Sequence, residues 1–331
     1  MKQVRWGILG TASIAKRMVV PSVQRLHFAV VAGVASRNID KAERFAREFG
    51  IPAAYGSYAE LVESDGIDAV YIPLTNDLHL PWILESIRHG KHVLCEKPLA
   101  MNADEVRRIQ EAAKNSGLFV MESVCTYFHP VHRRARELVS QGRIGDVHLV
   151  RISLSNDFGG RREDFRWKKE LGGGALLDLG GYCVRTARFV LGSEPRLVSA
   201  HGTFDPDTGV DTNMSVLLTF GGGGAAMIDT GILSTFRNYY EVIGTRGKIA
   251  VETPYGNGTE ARTVKVYDVR SNVVLEETLT AHQFFVQMET VSRCILEGKP
   301  APIPLEDSLQ TMRVLDACLE SALREGVSVP L

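Results

Sequence analysis

The sequence predicts a two-domain protein, with an α/β domain followed by an α+β domain. The chain has 331 residues, enough for two domains that each bury a core. Up to about residue 125, short apolar segments of strand length alternate with amphipathic helical segments. Beyond that point, strand segments follow one another with short turns between them. We therefore place the domains at residues 1–125 and 126–331.

The first domain is predicted to be a parallel sheet covered on both faces by helices, because its strands are continuously apolar. Asn38 and Asn102 can each cap a helix, and Gly50 follows a helix end. Ser57 and Glu60 have the spacing of a capping box. The predicted strands are residues 3–9, 28–35, 69–72, 92–95 and 118–121. The predicted helices are residues 12–26, 38–49, 78–89 and 102–117.

The second domain is predicted to contain a large, mostly antiparallel open sheet, because consecutive strands with short connections pair in that way. A glycine run at residues 221–224 is predicted to be a hairpin turn. The predicted strands are residues 147–155, 196–203, 214–220, 225–231, 239–243, 248–251, 263–267 and 273–278. The predicted helices are residues 129–141, 175–191, 282–296 and 305–324.

Composition argues against several classes of function. A net charge of −1 gives no electrostatic reason to expect a nucleic acid or an anionic membrane as partner. The longest apolar stretch, residues 28–35, is far shorter than the roughly 18 residues of a membrane helix, and no signal-peptide cleavage site follows the N-terminus. The five cysteines are widely spread without a Cys-x-x-Cys pair, which favours a reducing cytoplasm. His89 with His92 and His129 with His132 are pairs that could ligate a metal, but neither pair has a companion ligand, so no metal site is predicted.

The first predicted strand leads into a Gly10-Thr-Ala-Ser-Ile-Ala15 turn. A dinucleotide fingerprint reads G-x-G-x-x-G/A here, and this sequence has alanine at the second and third positions. The start of the following helix can bind a pyrophosphate through its N–H groups. A tight turn of an unrelated α/β protein is the alternative, but the position in the first strand–helix unit favours a dinucleotide-binding Rossmann domain. The predicted cofactor residues here are Gly10, Thr11, Ala12, Ser13 and Ile14.

The end of the second strand indicates which dinucleotide binds. NAD-binding domains usually place an acidic residue there, to accept from the ribose hydroxyls. This sequence instead has Ser36 and Arg37, with Lys41 one helical turn further on. A hydroxyl and two cations suit a 2′-phosphate, which a carboxylate would repel. We therefore predict NADP rather than NAD, with a solvated basic loop as the alternative.

A Glu96-Lys97-Pro98 sequence follows the strand at residues 92–95. Ligands of open α/β sheets bind at the carboxyl ends of the strands. Pro98 disfavours helical geometry at Lys97. A lysine held near a desolvated site can take part in proton transfer, whereas a lysine at a strand end is by itself more often a solvated surface residue.

Together these motifs resemble the Gfo/Idh/MocA oxidoreductases, the family of glucose–fructose oxidoreductase, inositol dehydrogenase and a rhizopine-catabolism protein. The resemblance rests on the dinucleotide turn, on Glu96-Lys97-Pro98, on Leu74-Thr-Asn76-Asp-Leu-His79 and on Gly172-Gly-Gly-Ala-Leu-Leu-Asp178-Leu-Gly180-Gly-Tyr182. The order and spacing of these blocks cover almost the whole chain. The resemblance implies further cofactor contacts, by Leu74, Asn76, His79, Glu96, Lys97 and Trp167.

The resemblance also implies a set of catalytic residues. In that family the lysine of Glu-Lys-Pro contacts substrate and nicotinamide, and the glycine-rich block supplies an aspartate and, four residues later, a histidine or tyrosine. The corresponding residues are Lys97, Asp178 and Tyr182. Positions i and i+4 share one face of a helix, so the carboxylate and the phenol can address one substrate. The tyrosine, together with Arg166-Trp167, resembles the branch of dimeric dihydrodiol dehydrogenase and NADP-dependent xylose dehydrogenase.

The implied reaction exchanges a hydride between NADP and a hydroxyl or carbonyl carbon of a sugar or sugar-like polyol. Tyr182 is expected to exchange the proton on the reacting oxygen while Lys97 hydrogen-bonds to that oxygen, and these two roles can be interchanged. Asp178 is expected to position a neighbouring hydroxyl. The family resemblance implies a homodimer or homotetramer that forms through the C-terminal sheet.

Two other functions stay open at this point. One is reduction of a keto-sugar that is linked to a nucleotide, for which Arg161, Arg162 and Arg166 offer positive charge. The other is a non-catalytic NADP-binding sensor or regulator, which would not need Lys97, Asp178 and Tyr182 to be intact.

Overall fold

The computed structural model describes residues 3–159, 161–256 and 261–331. The chain divides into two compact units. The first unit comprises Met1–Phe128 and His282–Leu309, and the second comprises His129–Ala281 and Gln310–Leu331. The first unit therefore includes a C-terminal segment that the predicted boundaries place in the second domain.

The described residues form fifteen strands and nine α-helices. The strands are β1 (Val4–Leu9), β2 (Ala29–Ala35), β3 (Ala53–Tyr55), β4 (Ala69–Ile72), β5 (His92–Glu96), β6 (Val120–Ser123), β7 (Val147–Asp157), β8 (Pro195–Phe204), β9 (Asp211–Phe220), β10 (Ala225–Gly231), β11 (Leu233–Gly244), β12 (Gly247–Glu252), β13 (Ala261–Asp268), β14 (Val273–Thr280) and β15 (Val329–Pro330). The helices are α1 (Val20–Val23), α2 (Ile39–Phe49), α3 (Tyr58–Glu63), α4 (His79–Arg88), α5 (Ala103–Lys114), α6 (Pro130–Ser140), α7 (Gly181–Leu191), α8 (Gln283–Glu297) and α9 (Leu305–Leu323).

The first unit is built on a parallel sheet, as the sequence predicts. Its strand order is β3-β2-β1-β4-β5-β6, and every neighbouring pair runs parallel. This is the order of a dinucleotide-binding Rossmann domain. The order reverses between β1 and β4, and ligands of such sheets bind outside the carboxyl ends of the strands at that reversal. Strand β3 is the one that the sequence pattern misses, because its three residues are only half-buried.

The helix caps of this unit are those that the sequence predicts. Asn38 and Asn102 each accept a backbone N–H three residues on, at the starts of α2 and α5. Gly50 ends α2 in the left-handed conformation. The Ser57 hydroxyl accepts from the Glu60 N–H over 3.2 Å, which fixes the start of α3.

The predicted helix at residues 12–26 is not a regular α-helix. A π-helical turn covers Ala15–Val19, and the Val20 N–H donates to the Ala15 carbonyl. Pro21 lies at the start of α1, where it has no N–H to donate and its ring obstructs the preceding turn. The proline therefore interrupts the α-helical ladder, and the wider turn accommodates it.

Helix α8 contacts β1 and the segment that follows α1, both in the first unit. The Trp6 indole N–H on β1 donates to the Ser292 hydroxyl on α8 over 3.1 Å. The Arg25 guanidinium lies 4.1 Å from the ring centroid of Phe285. These partners are more than 250 positions apart in the chain, so no local pattern could assign the helix to this sheet.

The second unit is built on a nine-stranded sheet of the described residues, in the order β14-β13-β12-β11-β7-β10-β9-β8-β15. All neighbouring pairs are antiparallel except β7 with β10, so the predicted mostly antiparallel sheet is confirmed. The turn from Gly221 to Gly224 joins β9 to β10 as a hairpin, as predicted, and the Phe220 N–H donates to the Gly224 carbonyl. Within the described ranges, no helix has both the length and the apolar character needed to cross a membrane.

Candidate active site

Four segments with predicted cofactor residues lie at the carboxyl edge of the parallel sheet. Gly10 follows β1, Ser36 follows β2, Leu74 lies just beyond β4, and Glu96 and Lys97 lie at the end of β5. The strands are parallel neighbours, so their carboxyl ends share one edge, at which the strand order also reverses. The first unit thus brings these predicted residues to one place.

Gly10, at the end of β1, leaves a space that a side chain would fill, which we call the Gly10 cradle. Its φ of +101° is one that residues with a side chain rarely adopt. A Cβ at this position would lie 3.0 Å from Leu74 Cδ2 and 3.7 Å from the Tyr58 hydroxyl. Residues Thr11 to Ile14 lead directly into the helical turn with partly or fully exposed surfaces. This cradle and the helix start beyond it fit the close approach of a pyrophosphate.

Ser36, Arg37 and Lys41 provide a polar and basic surface beside this cradle. The Ser36 hydroxyl accepts from the Asn38 N–H over 3.3 Å, which leaves its own proton to donate. Arg37 and Lys41 are exposed. A hydroxyl donor and two cations at the end of β2 fit the 2′-phosphate of NADP.

The carboxylate of Glu96, the residue before Lys97, lies in a buried hydrogen-bond network. Its Oε1 accepts from the Tyr71 hydroxyl at 2.7 Å and from the Ser123 hydroxyl at 2.9 Å. Ser123 in turn accepts from Gln287 Nε2 on α8. Burial raises the pKa of Glu96, while the two hydroxyl donors and the charge of Lys97 oppose that rise. The network therefore fixes the backbone on the N-terminal side of the lysine.

A second buried carboxylate fixes the other side of the lysine. Glu122 on β6 accepts from the Leu99 N–H at 3.2 Å and from the Ser308 hydroxyl at 2.6 Å. Lys97 itself is half-buried. The Lys97–Leu99 segment is therefore anchored through Glu96 and Glu122, and the lysine side chain extends from an ordered backbone.

His79 joins two loops at the same edge of the sheet. Its Nδ1 lies 2.8 Å from the Pro98 carbonyl oxygen, and its Nε2 lies 3.1 Å from the Leu74 carbonyl oxygen. The ring is fully buried, and burial lowers its pKa. Both ring nitrogens thus face the protein's own backbone. Asn76 is also buried, and direct contacts of His79 and Asn76 with a cofactor stay predictions.

In the second unit, Asp178 is buried and paired with Arg166. The arginine Nε donates to Asp178 Oδ2 over 2.6 Å. The same guanidinium also bonds to Asp164 at 3.0 Å, and it lies over the rings of Phe158 and Phe165. Asp178 is therefore not a carboxylate that faces water.

Asp178 and Tyr182 lie on one irregular helical segment. A π-helical turn covers Leu176–Gly180 and continues directly into α7, so Asp178 lies in the π turn and Tyr182 in the first turn of α7. The shared face of positions i and i+4 assumes a regular α-helix, and a wider turn changes their relative rotation. π turns occur frequently at functional sites.

Asp211 anchors the start of this segment, a role for which the sequence offered no signal. Its Oδ2 accepts from the Leu176 N–H over 2.7 Å. Gly174 has a φ of +114°, and a Cβ there would collide with Asp211 Oδ1. Burial raises the pKa of Asp211 to about 7, against the opposing effect of its backbone donors. The glycine of the motif thus makes room for the carboxylate that holds the helix start.

The Tyr182 ring lies at one end of a series of aromatic side chains. Its centroid is 5.8 Å from that of Tyr255, whose hydroxyl donates to Thr186 on the same helix as Tyr182. His132 stacks against Tyr255 at 5.9 Å and against Tyr240 at 5.8 Å. Three of these rings, those of Tyr255, His132 and Tyr240, are buried and support the position of Tyr182.

Trp167, predicted to contact the cofactor, is almost fully buried. Its indole N–H donates to the Phe158 carbonyl over 3.3 Å, and the Arg162 guanidinium lies 3.9 Å from the ring centroid. Arg162 also pairs with Asp205 at 2.6 Å. A cofactor contact of Trp167 stays a prediction.

One histidine of each pair considered as metal ligands accepts a backbone N–H. His92 Nδ1 accepts from the Phe119 N–H, and His129 Nδ1 accepts from the Val131 N–H at the start of α6. Of the residues that the structure describes, no three His, Cys, Asp or Glu side chains form a group that could hold a metal ion.

Comparison with known protein families matches both halves of the chain. Residues 4–124 match an oxidoreductase family with an NAD-binding Rossmann fold. Residues 132–250 match the GFO/IDH/MocA C-terminal domain. The chain belongs to the Gfo/Idh/MocA oxidoreductase family. The resemblance predicted from the sequence motifs is thereby confirmed.

Relatives within the Gfo/Idh/MocA family align along almost the whole chain. The D-xylose 1-dehydrogenase (NADP(+)) 2 of Haloferax volcanii is 36% identical over 326 residues, covering 98% of this chain and 99% of the relative. The trans-1,2-dihydrobenzene-1,2-diol dehydrogenase of Xenopus tropicalis is 34% identical, with 98% and 99% covered. The crystal structure of KijD10, a 3-ketoreductase from Actinomadura kijaniata, has a TM-score of 0.91 at 32% identity, with 97% and 98% covered.

Each unit of this Gfo/Idh/MocA oxidoreductase also contains supporting residues that its motifs do not name. Their polar side chains support the predicted residues from elsewhere in the chain. They are Tyr71, Ser123, Gln287 and Ser308 around the lysine segment, and Asp211 at the glycine-rich segment. Each is a single polar residue in an otherwise ordinary strand or helix, so no spacing distinguishes it.

Proposed function

We propose that this chain is an NADP-dependent oxidoreductase that interconverts a hydroxyl and a carbonyl group of a sugar or sugar-like polyol. The proposal is carried by one observation: the Gly10 cradle, the Ser36–Arg37 pair and Lys97 lie along one edge of a Rossmann sheet. The relatives support the substrate class and the cofactor, since one acts on D-xylose with NADP and another on a dihydrobenzenediol.

Different residues at the edge of the sheet would bind different parts of the cofactor. The backbone from Gly10 to Ile14 would hold the pyrophosphate. Ser36, Arg37 and Lys41 would hold the 2′-phosphate. Leu74, Asn76, His79 and Glu96 would shape the floor beneath the nicotinamide, which supplies a hydride donor or acceptor when bound.

Lys97 is proposed to donate a hydrogen bond to the reacting oxygen. An ammonium has three donors and no acceptor, so it favours an oxygen on which negative charge develops. The networks of Glu96 and Glu122 hold its backbone on both sides. A donor held in place does not have to be reorganised during the reaction, which is how a fixed group lowers a barrier.

Tyr182 is proposed to exchange the proton on the reacting oxygen, with Lys97 in that role as the rival assignment. Asp178 is proposed to accept a hydrogen bond from a neighbouring substrate hydroxyl. An ionised carboxylate has about four acceptor positions, so Asp178 can accept from a substrate while it accepts from Arg166.

A nucleotide-linked keto-sugar is the second candidate substrate, because KijD10 is a 3-ketoreductase whose structure contains TDP-benzene and NADP. Two of the candidate arginines already form ion pairs with carboxylates of this chain. Arg162 pairs with Asp205, and Arg166 pairs with Asp164 and Asp178. We therefore favour a free sugar or polyol over a substrate with a diphosphate.

A panel of substrates, read by NADPH absorbance, tests the proposal. The panel contains aldoses, polyols and dihydrodiols with NADP⁺, and keto-sugars with and without a linked nucleotide with NADPH. Turnover of free sugars, polyols or dihydrodiols supports the proposal, and turnover of only nucleotide-linked sugars favours the second candidate. Cofactor binding without any turnover would favour a sensor. The Lys97→Ala variant, purified in parallel, identifies contaminating activity.

The protein is further proposed to be a homodimer or homotetramer that uses the outer face of the second sheet. Leu217, Met227 and Tyr239 are large, exposed side chains on its central strands, and Met227 lies directly opposite Leu217 in the register. Large exposed apolar side chains on one sheet face, such as the neighbouring Leu217 and Met227, can mark an interface. Light scattering should give a multiple of the 36.4 kDa chain mass, and Met227→Lys should lower it.

We also propose that the protein works in the cytoplasm. Its five cysteines are thiols in the structure, and four of them are buried. A reducing compartment keeps such thiols reduced.

A further inference from the structure

The helical segment that carries Asp178 and Tyr182 begins without a capping side chain of its own. It starts at Ala175, directly after Gly174, and continues without interruption to Leu191. The first N–H groups of a helix have no partner within the helix. An oxygen-bearing side chain at the residue before the helix usually accepts from one of them, and neither glycine nor alanine has such a side chain. The start of this segment therefore needs an acceptor from elsewhere in the fold.

Asp211 supplies that acceptor from the nine-stranded sheet. It is the first residue of β9 and is 7% exposed. Its Oδ2 accepts from the Leu176 N–H, in the first turn of the segment, over 2.7 Å. Strand β9 lies between β8 and β10, so the carboxylate is held by a strand that is paired on both sides. The positive end of the helix dipole also favours a carboxylate at this place.

Two glycines of the motif allow this contact. Gly174 has a φ of +114°, and a Cβ there would collide with Asp211 Oδ1. A Cβ on Gly173 would lie 2.5 Å from the Arg166 carbonyl oxygen, and the same oxygen accepts from the Gly174 N–H over 3.0 Å. The start of the segment thus lies against both the Asp211 carboxylate and the backbone of Arg166, whose side chain pairs with Asp178.

We propose that Asp211 is a positioning residue for the reaction, because it fixes the first turn of the segment that carries Asp178 and Tyr182. This inference rests on the proposed function, in which those two side chains act on the substrate. The Asp178 N–H donates to the Gly174 carbonyl over 3.2 Å, so Asp178 lies in the turn that Asp211 caps. Helix ends fray, and a cap opposes that fraying. A misplacement of about 1 Å can lower a rate by roughly 10²-fold.

The test uses the full chain and compares kcat with the dissociation constant of NADPH. Asp211→Ala removes the acceptor and should lower kcat by roughly tenfold or more. NADPH binding, measured by fluorescence titration, should weaken by less than about twofold, because most of the proposed cofactor contacts lie in the first unit. Asp211→Asn keeps an acceptor oxygen for the Leu176 N–H, and asparagine caps helices about as well as aspartate. This conservative variant should therefore retain kcat within about threefold of the wild type.

A double variant separates positioning from a simple loss of folded protein. In the Tyr182→Phe background, Asp211→Ala should lower kcat by much less than in the wild type, because one group that it positions is already absent. A loss of folded enzyme would instead multiply with the effect of Tyr182→Phe. Thr212→Val is the matched control, because the buried Thr212 hydroxyl donates to the Thr203 carbonyl over 3.1 Å, within the hairpin of β8 and β9. Its kcat should match the wild type, and thermal unfolding of each variant shows whether the fold is retained.

Several outcomes would overturn the inference. Wild-type kcat in folded Asp211→Ala, equal losses in the Ala and Asn variants, or losses that multiply in the double variant would each show that Asp211 does not position the segment for catalysis. If Asp211→Ala does not fold, Asp211→Ser takes its place, and failure of both to fold while Thr212→Val folds would show a purely structural role. Wild-type kcat in Tyr182→Phe would instead contradict the proposed function, in which Tyr182 acts on the substrate.

Discussion

Arg166 donates from Nε to Oδ2 of Asp178 over 2.6 Å, and the two side chains are only 21% and 5% exposed. The aspartate that the glycine-rich motif identifies as catalytic is thus paired before any substrate binds. A buried carboxylate that kept its charge without a partner would be costly, so the arginine permits an ionised Asp178 in this position. The pair links the loop before the glycines to the segment after them.

The first prediction concerns this pair. Arg166→Met should lower the free energy of unfolding by about 3–5 kcal/mol, because it leaves a buried charge unpaired. Adding Asp178→Asn should restore part of that loss, which urea unfolding of the single and double variants would measure. Arg162→Met should cost less, because this arginine is 52% exposed and its buried partner Asp205 keeps hydrogen bonds from the Asp207 and Thr208 N–H groups. Equal losses for the two arginine variants would contradict the importance of burial here.

The second prediction concerns Lys97. Lys97→Ala should lower kcat by roughly 10²-fold or more, the scale expected for groups that act in proton transfer. The dissociation constant of NADPH should change little, because the lysine is proposed to act on the substrate oxygen. Steady-state kinetics and fluorescence titration measure the two effects. Lys114→Ala, on the exposed end of α5, is the control, and near-normal kcat in Lys97→Ala would show that the lysine is not catalytic.

The third prediction separates the roles of Tyr182 and Lys97. In the oxidation direction, kcat/KM should rise with pH and level off once the proton acceptor is deprotonated. If Tyr182 is that acceptor, Tyr182→Phe should lose this rise together with most activity. If Lys97 is the acceptor, the rise should persist in Tyr182→Phe at lower amplitude and vanish in Lys97→Met. Both variants are measured over the full pH range, because two ionisable groups that act on one oxygen titrate as a pair.

The fourth prediction concerns the choice of cofactor. NADPH should bind at least about tenfold more tightly than NADH, which corresponds to about 1.4 kcal/mol. Ser36→Asp should reverse this preference, because a carboxylate repels the 2′-phosphate and accepts from ribose hydroxyls. Ser36→Ala is the control: it should weaken NADPH binding without strengthening NADH binding. Similar affinities of the wild-type protein for both cofactors would contradict the prediction.

The fifth prediction concerns acid stability. Burial, reinforced by the charges of Arg262 and His129, lowers the pKa of His132 from 6.5 to about 3. Between these values the unfolded chain binds a proton that the native state excludes, so the free energy of unfolding should fall as the pH falls from 6.5 toward 3. His132→Phe retains a ring between Tyr240 and Tyr255 but cannot titrate, and its stability should decline less between pH 7 and 4.5. Chemical unfolding at both pH values tests this, and exposed His148→Gln should behave as the wild type.

Local patterns in the sequence predict the Rossmann domain, the mostly antiparallel second sheet and the family, and all three predictions are confirmed. These depend on local signals, namely apolar periodicity, the caps at Asn38, Ser57 and Asn102, and motifs at fixed spacing. Each signal reflects the conformational preference of a few adjacent residues. Such preferences can therefore be read without knowledge of the rest of the chain.

The partners that hold the site residues could not be predicted in this way, because they depend on how the elements pack. Arg166 pairs with Asp178, Gln287 supports Ser123 and Glu96 from a distant helix, and Ser308 donates to Glu122. These contacts join residues from different elements, and a polar side chain has the same local pattern whether it faces water or a buried partner. Packing of the elements brings the groups together and removes water, and removal of water makes each pairing necessary.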